Sequence, residues 1–209
     1  MHFKPSPLFP GIVVIEPEIF QDERGFFTEM HHEQKFSKAG IKERFVQDNR
    51  ARSSYATLRG LHYQINRAQA KLVWVLIGEI FDVAVDIRRN SPTFGKWCGF
   101  VLSDKNKKAL YIPPDFAHGY AVLSKEAEVY YKCSDFYSPQ FERSIRWNDS
   151  DLALDWPIKD PILSKKDANA PLFKDAELPL GVFRLTGEAY TEIDSQVIGD
   201  AQGRYSGRT

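Results

Sequence analysis

Apolar and polar residues alternate in short runs from about Gly11 to Ile145, punctuated by Gly, Pro, Asn and Asp, as an all-β sandwich or barrel requires. Phe81, Val83, Val85 and Ile87 share one face of an alternating segment, which predicts a strand over 81–87. Residues 71–77 (KLVWVLI) are apolar on both faces after the opening lysine, so they predict a central strand buried between two layers. Gly78 and Glu79 then turn the chain into the next strand. Further strands are predicted over 99–103, 109–112, 120–123 and 129–133, separated by turn-like segments at 103–106 and 113–115. Near the N-terminus, Leu8, Phe9, Ile12, Val13, Val14 and Ile15 beside Pro10 suit an edge strand within 3–16. Helix signals are few: residues 32–39, closed by Gly40, predict one short helix. Beyond Trp147 the chain turns polar and proline-rich, and 163–171 predicts a loop or a single helical turn. No internal repeat is present.

Composition narrows the function classes. The 209 residues carry 28 basic and 28 acidic side chains, so no concentrated basic surface is expected for nucleic acid or an anionic membrane. With 43% hydrophobic and 13% aromatic residues the chain can bury a sizeable core and is a folded protein. The longest apolar run, 72–78, falls far short of the roughly 18 residues that a membrane-spanning helix needs. Three prolines in MHFKPSPLFP break the apolar segment a secretory signal would require, so a cytoplasmic location is expected. Cys98 and Cys133 are too few for a disulfide framework and predict free, buried thiols.

Two histidines sit within β-rich segments, His62 in LRGLHYQ and His118 in IPPDFAHGY. Their spacing resembles the two signature boxes of the cupin family, in which such boxes hold a metal. Here the position two after His62 is Gln64, and no Glu follows within the next several residues, so no metal site is expected. Taken singly, each histidine reads as a satisfied core residue. The neighbours alter that reading: Arg59 and Arg24 are bidentate donors suited to phosphate, and with Lys71 and Lys166 could cradle a diphosphate. Lys71 either snorkels at a strand edge or points its ammonium into a lined cavity. Tyr131 shares parity with Val129 and Cys133 and should face inward, where with an inward His it could form an acid–base pair. Strict alternation would put Arg59 and His62 on opposite faces, so a bulge at Gly60 is required.

The runs DERGFFTE, QDN, LRGLHYQ, AQAKLV, GEIFDVAVDIRRNSPTFGKW, FAHGYAVLS, YKCSDFYSP and ILSKKD, in that order, resemble the dTDP-4-dehydrorhamnose 3,5-epimerase family over roughly Phe3 to Asp175. The resemblance implies a cupin-type double-stranded β-helix, an all-β jelly-roll barrel with a few short helices, over residues 1–177. Residues 178–209 form a C-terminal extension to which it gives no role. It implies cofactor-free, metal-free epimerisation of a dTDP-4-keto-6-deoxy sugar at C3 and C5, in a homodimer whose N-terminal region crosses to the partner's sheet. By position, His62 matches the catalytic base, Asp167 its paired carboxylate and Tyr131 the proton donor on the opposite face of the sugar. Lys71 and His118 match residues near the keto group and sugar ring. Arg24, Glu29, Gln47, Asp48, Asn49, Arg59, Glu142 and Lys166 match nucleotide and diphosphate contacts, and Tyr137 the aromatic stacked on thymine.

Three rivals remain open from sequence. One is a relative acting at only C3 or only C5 in another deoxysugar pathway. Another is a metal-dependent cupin oxygenase or isomerase, for which Gln64 offers no ligand. The third is a non-catalytic sugar-nucleotide-binding module, which would have no use for a base and an acid on opposite faces of a ring.

Overall fold

The computed structural model describes residues 1–180; residues 181–209, most of the expected C-terminal extension, lie outside the described residues. In chain order the elements are β1 (His2–Pro5), β2 (Val13–Glu16), β3 (Ile19–Asp22), β4 (Gly25–Thr28), α1 (Glu33–Lys38), β5 (Gln47–Ser54), β6 (Leu58–Gln64), β7 (Lys71–Ile77), β8 (Glu79–Asp86), β9 (Trp97–Ser103), β10 (Ala109–Ile112), β11 (Phe116–Val122), β12 (Glu126–Cys133), β13 (Glu142–Ser144) and α2 (Lys165–Ala168). Single 3-10 turns follow at Pro139–Phe141 and Phe173–Asp175.

These strands form a six-stranded sheet in the order β1-β2-β10-β7-β12-β5 and a five-stranded sheet in the order β13-β6-β11-β8-β9, with β3 and β4 as a separate hairpin. The all-β jelly-roll expectation holds. Two sheets facing each other need apolar residues on their inner faces, and these interleave. Val73, Val75, Leu110, Ile112 and Val129 come from one sheet; Ile80, Ala84, Leu102, Phe116 and Val122 come from the other. Each fully buried Val, Leu, Ile or Phe side chain among them contributes about 1.5–3 kcal/mol against the chain entropy lost on folding.

Two further clusters cover the outer faces. On the six-stranded sheet, Phe36 of α1 and Ile41 pack over Ile15, Leu72 and Trp74. Thus β7 is covered on both sides, as its unbroken apolar sequence predicts. On the five-stranded sheet, Leu152, Trp156, Ile158, Phe173 and Ala176 pack over Val83, Val85 and Ile87. The apolar face of β8 therefore meets the C-terminal segment, and its other face, with Asp82 and Asp86, is turned toward the barrel interior. Leu178 packs on this outer cluster and the Arg89 amide donates to the Pro179 carbonyl at 3.1 Å, so the first residues past 177 still lie on the domain.

Two elements depart from the pattern. β5 (QDNRARSS) lacks apolar alternation, because it is an edge strand whose outward side chains are charged; Arg50 pairs with Glu128 and Arg52 with Glu126, each at 2.7 Å. β11 begins at Phe116, four residues before the expected start, because the Pro113–Asp115 turn ends directly against it and His118-Gly119 carries no apolar signal. Cys133 is buried and free, whereas Cys98 is free but only half-buried, since Trp97–Ser103 forms the edge of its sheet.

The bulge that the site needs is present in β6. His62 faces His118 and Arg59 faces Tyr120, so three steps along β6 oppose two along β11. Gly60 sits there at φ +118°, and a Cβ on it would lie 2.6 Å from the Gly119 Cα and 2.7 Å from the His118 carbonyl oxygen. Only glycine lets the two backbones close at this point.

Candidate active site

His62 leaves β6 beside α2, and its Nε2 lies 2.6 Å from Oδ1 of Asp167. Asp167 is buried and held by its short helix: the Ser164 hydroxyl donates to Oδ2 at 2.9 Å and accepts from the Asp167 amide at 3.1 Å. Burial works against the carboxylate's charge, but the bonds from His62 and Ser164 outweigh it and hold Asp167 below the usual aspartate range. An ionised Asp167 can only accept, so Nε2 carries the proton and Nδ1 of a neutral His62 carries the lone pair. The pair borders a cavity of about 250 Å³ lined by Leu58, Arg59, Ile162, Ser164 and Lys166 among others. Arg59 and His62 thus share one cavity, as the bulge requires.

A second histidine–carboxylate pair stands opposite on the barrel's inner face. His118 Nε2 lies 2.9 Å from both carboxylate oxygens of Asp82, and both residues are buried. Burial pushes the His118 imidazole below its ordinary value, against the pull of Asp82. Lys71 opens β7 on the inner side; burial lowers its ammonium, opposed by Asp82 and Glu142 among its neighbours. Tyr131, on β12 between Asn49 and Val73, packs on the interior cluster, and burial raises its phenol. β13 sets Glu142 opposite Gln64, two residues along β6 from His62, and β12 carries Tyr131 two residues before Cys133, which faces Lys71.

The mouth is rimmed by a chain of bonds. Gln47 Nε2 donates to Asn49 Oδ1 at 3.0 Å, the Tyr137 amide donates to Gln47 Oε1 at 2.7 Å, and the Tyr137 hydroxyl donates to Glu142 Oε2 at 2.8 Å. Lys166 closes it as an ion pair with the other Glu142 oxygen. These bonds outweigh burial and lower Glu142. Arg59 Nε donates to Ser53 Oγ at 3.1 Å, and a guanidinium so anchored has the planar fork of donors that suits an oxyanion.

Not every sequence candidate joins this group. Asp48 alternates away from Gln47 and Asn49 onto the outer face of β5, where Lys132 Nζ and the Tyr130 hydroxyl donate to it at 2.6 and 3.0 Å. Arg24 sits at the tip of the β3–β4 hairpin, paired with Asp22 at 2.5 Å, and Glu29 accepts from Lys35 at 2.7 Å. Within one chain neither is bonded to the barrel mouth. Conversely, Asp82 and Ser164 belong to the site and were not singled out from sequence. Asp82 was detectable as an acid on a strand whose other face is wholly apolar; Ser164 gave only the Ser-x-x-Asp spacing of a helix cap.

Gln64, where a cupin metal ligand would stand, is committed elsewhere. Its amide donates to the carbonyls of Arg67 and Phe136 at 2.8 and 3.3 Å, and its oxygen accepts from the Ser138 amide at 2.7 Å. It pins the loop carrying Tyr137. Among the described residues no three His, Cys, Asp or Glu side chains converge as a metal would need, and no helix is long and apolar enough to cross a membrane.

Comparison with known proteins gives consistent matches. The sequence model described as dTDP-4-dehydrorhamnose 3,5-epimerase matches residues 7–175. The dTDP-4-dehydrorhamnose 3,5-epimerase of Pseudomonas aeruginosa is 52% identical over 170 residues, 80% of this chain and 94% of the relative. The structure of dTDP-6-deoxy-D-glucose-3,5-epimerase from Legionella pneumophila, in complex with dTDP-4-keto-L-rhamnose, superposes with a TM-score of 0.82 at 49% identity, covering 85% of this chain and 97% of that one. A 3'-monoepimerase from Streptomyces bikiniensis in complex with dTDP-quinovose superposes with a TM-score of 0.77 at 34% identity, covering 82% and 87%.

Proposed function

The chain belongs to the dTDP-4-dehydrorhamnose 3,5-epimerase family, and from that membership we propose that it converts dTDP-4-dehydro-6-deoxy-D-glucose to dTDP-4-dehydro-L-rhamnose by inverting C3 and C5. The observation that carries the reading is the His62–Asp167 pair, with His62 and Arg59 lining one cavity.

Both carbons flank the C4 ketone, so each bears an acidified C–H. Nδ1 of His62 takes one proton; the C–H electron pair becomes the enolate double bond, and charge moves to the C4 oxygen. Asp167 holds the imidazole's tautomer and stabilises its charged form. Tyr131, whose burial keeps the phenol protonated, returns a proton to the other face of the ring and the ketone re-forms. His62 and Tyr131 reset through solvent, so no cofactor is consumed.

The two basic groups near the ketone differ in what they offer. His118 spends its Nε2–H on Asp82, and burial favours its neutral form, so it presents an acceptor suited to a ring hydroxyl. The positive charge for the enolate oxygen comes from Lys71. Arg59 and Lys166 hold the diphosphate, while Gln47, Asn49, Glu142 and the half-exposed Tyr137 ring meet the nucleotide. Binding energy from these remote groups positions the sugar.

Arg24 and Glu29 enter through dimerisation. Phe20, Phe26 and Phe27 on their hairpin are 56%, 57% and 68% exposed, a surface that supports burial against a second copy. The hairpin of one copy then brings Arg24 and Glu29 to the nucleotide end of the other. Asp48 acts indirectly, by fixing the strand that presents Gln47 and Asn49. Two free thiols support a reducing, cytoplasmic setting.

Incubation with dTDP-4-dehydro-6-deoxy-D-glucose in deuterated water tests the reaction. Deuterium enters at both C3 and C5. Label at one carbon alone makes the protein a single-site epimerase, and absence of label overturns the reading.

A further inference from the structure

We propose that Ser164 is a positioning residue for proton transfer, the outer member of a Ser164–Asp167–His62 chain whose hydroxyl fixes and tempers the carboxylate that orients the base. The proposal rests on the assignment of His62 as base.

Ser164 has one hydroxyl proton and spends it on Asp167 Oδ2 at 2.9 Å, while its oxygen caps α2 by accepting the Asp167 amide at 3.1 Å. The other carboxylate oxygen takes His62 Nε2–H at 2.6 Å. Both oxygens are therefore held from different sides, and the plane of the carboxylate, with the imidazole bound to it, is defined. A single helical turn has too few internal bonds to fix its own orientation, so the cap decides where Asp167 points. Asp167 is buried, and an oxygen that lost its donor would not regain a full water shell. Ser164 itself is exposed, so removing its hydroxyl leaves no cavity and isolates the hydrogen-bonding effect.

The donation also draws negative charge from the carboxylate. Without it Asp167, through the Nε2–H it accepts, stabilises the imidazolium more strongly, and the second proton leaves Nδ1 only at higher pH, below which the base cannot act. Loss of Ser164 thus has a kinetic signature that a helix cap alone would not produce.

The test uses the purified full chain with Ser164→Ala, Ser164→Thr and, in parallel, His62→Asn. In Ser164→Ala kcat falls about tenfold, the worth of one hydrogen bond to a charged group. The acid limb of its kcat/KM profile moves to higher pH by roughly half a unit. Affinity for dTDP is unchanged, and Ser164→Thr, which keeps both bonds, restores the rate and the profile. A Ser164→Ala enzyme with parental kcat and an unmoved acid limb reduces Ser164 to a structural cap and overturns the proposal. A folded Ser164→Thr that fails to rescue does the same. If His62→Asn retains turnover, the assignment of the base itself has failed; if it is inactive while Ser164→Ala behaves as the parent, only this inference falls.

Discussion

His62–Asp167 and His118–Asp82 are chemically the same pair, an imidazole Nε2 on a buried aspartate, yet they sit in unlike frames. Asp82 and His118 lie on adjacent strands of one sheet, with Tyr120 opposite Asp82 and Ala84 opposite His118. Both are immobilised by the ladder itself. Asp167 comes instead from a one-turn helix 105 residues away in sequence, held by Ser164. The imidazole side chains are 29% exposed for His62 and 8% for His118. An imidazole that must gain and lose a proton needs access and a mobile charge balance; one that only presents a fixed acceptor is better buried and neutral. The difference lies in the mounting, and under the proposed reaction it separates an imidazole that exchanges protons from one that presents a fixed acceptor.

Substitutions can break that separation, and the largest effect falls on the reacting groups. His62→Ala or Tyr131→Phe lowers turnover by about 10²- to 10⁴-fold while dTDP affinity, measured by calorimetry, stays near the parent's. Near-normal turnover in either would remove that residue from the acid–base pair. Asp167→Asn follows, with kcat down about 10²-fold through the wrong tautomer and a melting temperature close to the parent's. Asp82→Ala shows the opposite balance, leaving a buried N–H unpaired at about 2–3 kcal/mol, or roughly 5–10 °C in melting temperature. If Asp82→Ala melted normally and Asp167→Asn did not, the two roles would have to be exchanged.

The smallest effect is in pH. The folded-state value of His118 lies below its unfolded value, so the unfolded chain binds a proton first as pH drops. Stability is then fully present above the ordinary histidine range, near 6.5, and falls below it by at most about 1.4 kcal/mol per pH unit from this group. Asp167, depressed in the folded state, adds its own loss only in the more acidic carboxylate range. Melting curves between pH 8 and pH 5 should decline toward acid in the parent, and a His118→Asn variant should decline less. Equal slopes would mean that His118 takes up its proton over the same pH range in the folded and the unfolded chain.

Much of this was legible in the sequence where one physical signal dominated. β7 announced itself because a strand covered on both faces must be apolar on both, and the Gly60 bulge followed from requiring Arg59 and His62 on one side. β5 was illegible as a strand, since its outward positions pair charges across an edge and its inward positions serve the site. The alternation at 81–87 identified a strand correctly, but the apolar side meets the C-terminal segment, and the side with Asp82 faces the interior. Pairings such as His62 with Asp167 link distant segments, so no local pattern encodes them; the family resemblance supplied that match, and it had nothing to say of Ser164.

The extra residue in β6 splits one strand into two stretches with independent phase. In the proposed reaction Arg59, before Gly60, serves the anion and His62, after it, serves the reacting carbons, and the extra residue lets both face one cavity although strict alternation would part them. A single missing Cβ is thus what keeps anion recognition and proton transfer on the same side of one strand.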